Sequence, residues 1–148
     1  MNTNSITILM ADDDKEDQQF TKEALTKSRL CNTLNFVCDG EELMDYLNHQ
    51  GKYTNPDDSP RPGLILLDLN MPKKDGREAL MEIKSDPVLK EIPVVILTTS
   101  DAEVDIHRSY GLGANSYITK PVTMEGMVKV MSALGKYWFD IVRLPDNS

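Results

Sequence analysis

The sequence predicts an α/β fold, a doubly wound five-stranded parallel sheet with helices on both faces. Three observations carry this. Five short apolar runs alternate with five stretches of helical spacing. The central run, Leu64-Ile65-Leu66-Leu67, is apolar without a break, as strands buried on both faces are. Polar residues stand at the downstream ends of four runs, at the sheet edge where open α/β folds place their ligand sites.

The elements follow in order. Ile6 to Ala11 is an apolar run ending in Asp12-Asp13-Asp14, and Lys15 to Ser28 has helical spacing with Phe20, Ala24 and Leu25 on one face. Leu34 to Val37 is a short strand. Gly40 to Asn48 is a helix with Leu43 and Leu47 at i, i+4. The polar loop from Gly51 to Pro62 is long for a compact domain, which marks it as functional or mobile. The central run then ends at Asp68, bounded by Pro62-Gly63 and Met71-Pro72. Asp75 can cap a helix over Gly76 to Asp86, with Ala79, Leu80 and Ile83 facing the core and Pro87 ending it. Pro93 precedes the strand Val94 to Leu97, which leads into Thr98. Ser100 and Glu103 have capping-box spacing, predicting a helix from about Asp101 to Tyr110, closed by Gly111 and Gly113. Asn115 to Ile118 is the fifth strand, followed by Thr119-Lys120-Pro121. Thr123 caps the last helix, whose stripe Met127, Met131, Leu134, Trp138 and Ile141 is helical and reads mainly as core.

Length and composition narrow the functional classes. The 148 residues suit one domain, with a short tail over 143–148 and no repeat or second-domain signal. A net charge of -8 opposes nucleic acid and anionic membrane surfaces as partners, because phosphate binding needs a basic face. No apolar run approaches the roughly 20 residues of a membrane span. The start, Met1-Asn2-Thr3-Asn4-Ser5, lacks the regions of a signal peptide. Cys31 and Cys38 have no metal or redox spacing. A reduced, cytoplasmic setting fits these features.

The functional signal is convergence. In a parallel sheet the strand ends carrying Asp12-Asp13, Asp68, Thr98 and Lys120 gather at one edge. An isolated acidic pair is usually a solvated turn and an isolated lysine a surface charge, so the joint pattern carries the weight. Crowded carboxylates repel one another unless a cation joins them. Oxygen-only ligands favour a hard divalent ion such as Mg²⁺. With the Lys120 ammonium and the Thr98 hydroxyl added, the group suits a phosphoryl moiety, and Asp68 can serve as a nucleophile forming an aspartyl-phosphate. His49 and His107 lie outside the cluster, and no Gly-x-x-x-x-Gly-Lys loop is present.

These residues resemble the receiver domain of two-component response regulators. Asp68 and Thr98 are 30 residues apart and Thr98 and Lys120 are 22 apart, and the motifs Leu67-Asp68-Leu69-Asn70-Met71-Pro72, Asp75-Gly76 and Lys120-Pro121 have the family's form. The resemblance covers about Ile6 to Val142. It implies the flavodoxin-like receiver fold, and phosphoryl transfer to Asp68 from a sensor histidine kinase. It also implies Mg²⁺ held by Asp13, Asp68 and the Asn70 carbonyl, with Asp12 assisting. Thr98 and Lys120 would contact the phosphoryl group, and Tyr117 falls at the aromatic switch position. A cis peptide before Pro121, frequent in the family, would help aim Lys120. The acidic pair is read as Asp12-Asp13 with Asp14 starting the helix, and Asp13-Asp14 is the alternative register.

Within the family the chain is similar to the stand-alone regulators that partner bacterial and cyanobacterial phytochromes, through the 51–62 loop and the tail Tyr137 to Pro145. Val128, Val130, Tyr137 and Phe139 lie off the core stripe, and with Leu144-Pro145 they suggest a homodimer contact through the last helix and tail. Competing readings are a phosphate sink for a kinase, an Mg²⁺-dependent aspartyl-phosphate phosphatase and a flavin carrier. Asn70 opposes the phosphatase, because it stands where a general acid is needed. The acidic strand ends oppose flavin phosphate.

Overall fold

A computed structural model describes residues 6–30 and 32–141, the last three by backbone alone. The parallel sheet has the order β2-β1-β3-β4-β5, with β1 at Thr7–Ala11, β2 at Thr33–Val37, β3 at Leu64–Leu67, β4 at Val94–Thr98 and β5 at Ser116–Thr119. This order reverses direction beside β1, the switch point where open sheets hold ligands. The intervening helices are α1 (Lys15–Lys27), α2 (Gly40–Asn48), α3 (Gly76–Ser85), α4 (Glu103–Gly111) and α5 (Met124–Leu134).

Alternation along the strands divides the core in two. Leu9, Ile65, Leu67, Val94 and Ile96 face α2 and α3, meeting Leu43, Leu47, Leu80 and Ile83. Ile8, Met10, Leu64, Leu66, Val95 and Leu97 face α1 and α5, meeting Ala24, Leu25, Met127, Met131, Leu134 and Trp138. Successive strand side chains point to opposite faces, so an unbroken apolar strand feeds both layers. Beyond α5 a π-helical segment, Gly135–Ile141, carries Trp138 into the second cluster and leaves Tyr137 exposed. Val128 and Val130, which the sequence places off the stripe, pack partly against the same cluster. Residues 142–148 and the Phe139 and Ile141 side chains lie outside the described residues.

Two expectations need correction. The helix after β4 is not opened by a Ser100–Glu103 capping box. It starts at Glu103 behind Ala102, which makes no side-chain cap, because the Ser100 hydroxyl donates to Asp105 Oδ2 at 2.7 Å instead. The peptide before Pro121 is not cis, since no cis bond occurs among the described residues, and Lys120 is aimed by carboxylates. Of the two readings left open for the 51–62 loop, mobility is opposed by hydrogen bonds at its ends. Tyr46 donates from its hydroxyl to Pro60 O and accepts from Asn35, and the hydroxyl of buried Ser59 lies within hydrogen-bond reach of Tyr53 O and Asn55 O and 3.1 Å from His49 Nδ1. A 3-10 turn at Gly51–Tyr53 brings the Tyr53 hydroxyl onto Glu42.

Two glycines seat the helices under the site edge. A Cβ on Gly76 would lie 2.1 Å from Asp68 O, and one on Gly40 would lie 2.1 Å from Lys74 O. Both contacts are to backbone, so no side-chain adjustment relieves them. The start of α3 thus lies directly under the peptide that carries Asp68.

Candidate functional site

The site forms where β1, β3, β4 and β5 end. Asp12 follows β1 and is fully buried, while Asp13 is exposed. Asp14 is the N-cap of α1, and its carboxylate accepts from Glu16 N at 2.9 Å and Asp17 N at 3.2 Å. That carboxylate is therefore engaged by the helix. Carboxylate oxygens of Asp12, Asp13 and Asp68 lie within 4.8 Å of one another.

Asp68 follows β3 and is 6% exposed. Its Oδ1 accepts from the Thr98 hydroxyl at 2.7 Å and from Asn70 N at 3.3 Å, and its Oδ2 lies 3.3 Å from Lys120 Nζ. Thr98 is buried as the last residue of β4, and Lys120 N donates to its carbonyl at 2.7 Å. Lys120 Nζ also lies 2.7 Å from Asp12 Oδ2 and 2.7 Å from Asp17 Oδ2. Asp17 is a site residue that sequence reading missed. The signal was available: an N-cap at Asp14 puts residue 17 at the third helical position, on the turn facing the strand ends.

Charge governs this edge. Burial raises the Asp12 carboxyl from 3.8 to about 6, against the lowering effects of Lys120 and the Asp14 N–H, and the nearby Asp68 charge adds to the rise. For Lys120, burial opposes the charged form, but hydrogen bonds to Asp12 and Asp17 and the charges of Asp12 and Asp68 outweigh it and hold the ammonium protonated. Asp12 Oδ2 is buried, and its one close partner among the described residues is the Lys120 ammonium at 2.7 Å. Three carboxylates crowded at one strand edge, one of them fully buried, fit a divalent cation that binds through oxygen.

A second network leaves the site toward α4. Arg77 binds Asp105 through two bonds of 2.9 and 3.0 Å, and its Nη1 lies 3.5 Å from Leu69 O. Ser100 joins Asp105, the Tyr117 hydroxyl donates to Ser100 O at 2.8 Å, and Tyr117 N donates to the Tyr110 hydroxyl at 3.1 Å. Tyr117 is half-buried, and α4 itself buries only Ser109.

A parallel sheet in the order 2-1-3-4-5, with an acidic cluster, a buried aspartate, a threonine and a lysine on successive strand ends, defines a phosphoacceptor receiver. Residues 8–132 match the response regulator receiver domain, and the chain belongs to that family. It is 46% identical over 138 residues to the response regulator Rcp1 of Synechocystis sp. (strain ATCC 27184 / PCC 6803 / Kazusa), covering 93% of this chain and 92% of that protein. The phosphorylated cyanobacterial phytochrome response regulator RcpA superposes with a TM-score of 0.88 at 45% identity, covering 96% of this chain and 99% of that one. The Mn²⁺-bound form of Rcp1 gives 0.85 at 45% identity, with 95% and 99% covered. The chain is thus a two-component signalling protein that receives phosphoryl groups from a sensor histidine kinase and binds a divalent metal through acidic residues. Among the described residues no helix is long and apolar enough to cross a membrane.

Proposed function

We propose that Asp68 is the phosphoryl acceptor and that Asp12, Asp13, Asp68 and the Asn70 carbonyl hold Mg²⁺. The observation that supports this best is the convergence of Thr98, Lys120 and two further carboxylates on the Asp68 side chain. An Asp68 carboxylate oxygen forms the O–P bond as the P–N bond of the kinase phosphohistidine breaks, and that bond's electron pair returns to the imidazole. Thr98 and Lys120 supply a hydroxyl donor and a positive charge to the phosphoryl oxygens. When bound, the metal ion offsets negative charge that the carboxylates and phosphoryl group would otherwise set against each other. The same edge would carry the self-catalysed transfer and hydrolysis typical of the family.

Engagement of Thr98 by the phosphoryl group would release its bond to Asp68 and shift the segment through Ser100 that holds Tyr117 and Asp105. The cognate kinase is of the phytochrome type in this reading, by similarity to Rcp1 and RcpA. The reading also includes a cytoplasmic setting and a homodimer through the last helix and tail, for which exposed Tyr137 offers apolar surface. Sedimentation with and without beryllofluoride tests the dimer, and a monomer at high micromolar concentration in both conditions would exclude it.

Intact-mass measurement after incubation with acetyl phosphate and Mg²⁺ tests the acceptor. Wild type should gain one phosphoryl group and Asp68→Asn none. Equal labelling of that variant would move the acceptor elsewhere.

A further inference from the structure

Lys120 has more carboxylate partners than its chemistry requires. The ammonium has three N–H donors, and three carboxylates lie within 3.3 Å of it: Asp12 and Asp17 at 2.7 Å and Asp68 at 3.3 Å. Phosphoryl transfer converts the Asp68 carboxylate itself, so its place passes to the phosphoryl group, and a short bond from the ammonium then depends on its leaving Asp12 or Asp17, the two carboxylates at 2.7 Å. These two differ in how readily they can yield. The Asp12 side chain is 1% exposed, so releasing it without a cation to take its place would leave a charge away from water. The Asp17 side chain is 37% exposed on the first turn of α1, and water can take over its bond. Asp17 is not among the three carboxylates grouped for a metal, so a bound cation would not draw it off Lys120.

We propose that Asp17 is a positioning residue that competes with the phosphoryl group for Lys120 and so sets the affinity of the site for that group. The idea rests on the assignment of Asp68 as acceptor. Two effects act in the same direction. Asp17 occupies a donor that the phosphoryl oxygens need, and it adds negative charge beside an anion. Asp17→Asn keeps the side-chain shape and the third position of α1, whose backbone N–H is held by Asp14.

The test is beryllofluoride binding to the full chain in saturating Mg²⁺, followed by fluorine NMR and calorimetry. A partly exposed ion pair is worth up to roughly 1 kcal/mol, so Asp17→Asn should bind about fivefold more tightly than wild type. Asp17→Ala, which has no side-chain oxygen to hold the ammonium, should tighten binding at least as much. Glu16→Gln removes the same charge from the neighbouring exposed position without touching Lys120, and should bind like wild type. Unchanged or weaker binding by both Asp17 variants would overturn the proposal, as would equal tightening by Glu16→Gln. Absence of saturable binding by wild type would instead overturn the acceptor assignment and this proposal with it.

Discussion

Asp12→Asn should stabilise the metal-free protein while abolishing its divalent metal binding. Asp12 is fully buried and its carboxyl titrates at about 6 in the fold, against 3.8 as the ordinary value. The unfolded chain gives up this proton near pH 3.8, and the folded chain holds it until about pH 6. Between those values the folded state binds more protons, so each step upward in pH weakens folding. The displacement corresponds to about 3 kcal/mol at neutral pH, an upper bound for an isosteric neutral side chain. Asparagine resembles the protonated carboxyl and keeps an oxygen for the Asp14 N–H, now 2.9 Å from Asp12 Oδ1. Urea unfolding in EDTA, followed by circular dichroism, would measure this. Asp12→Asn should exceed wild type by about 1–3 kcal/mol at pH 7 and match it near pH 4, where wild-type Asp12 is protonated. Saturating Mg²⁺ should then raise wild type but not the variant, because only wild type retains the full carboxylate set. Equal stability at pH 7, or an advantage that persists undiminished at pH 4, would refute the reasoning.

Two further outcomes test the supports of the site. Gly76→Ala sets a Cβ against Asp68 O and Leu69 Cα, at 2.1 and 2.7 Å. It should cost on the order of 1–3 kcal/mol in urea unfolding and slow labelling by acetyl phosphate. Gly111→Ala, with nothing within 4 Å, should do neither. Arg77→Ala breaks the two-bond pairing with Asp105 and should cost about 1 kcal/mol. Its clearer effect should be faster hydrogen exchange in the first turn of α4, with α5 amides unchanged.

Much of the fold was legible because each strand's chemistry is local. The runs at Leu64 and Val94 are too short and too uniformly apolar to be surface helices, and Asp75 and Thr123 cap the helices their positions imply. The strand-end convergence followed from parallel topology alone. Interactions decided at long range stayed hidden. Ser100 had the spacing of a cap, but Asp105, itself drawn by Arg77 from α3, offers its hydroxyl a charged acceptor. Tyr46 lies on the apolar face of α2, yet its hydroxyl reaches Asn35 and Pro60 across the fold. Asp17 carried no signal of its ion pair, because its partner Lys120 stands 103 positions later.

The clamp on the 51–62 loop has a practical consequence for spectroscopy. Residues 54–58 are exposed, yet they hang between Tyr53, tied to Glu42, and Ser59, buried against His49. A nitroxide at Asp57 therefore travels with α2, whereas one on a free hairpin would blur every distance taken from it. Val104, 71% exposed on α4, offers the opposite end of a ruler. Electron-electron distances between those positions would register displacement of α4 against a nearly fixed origin.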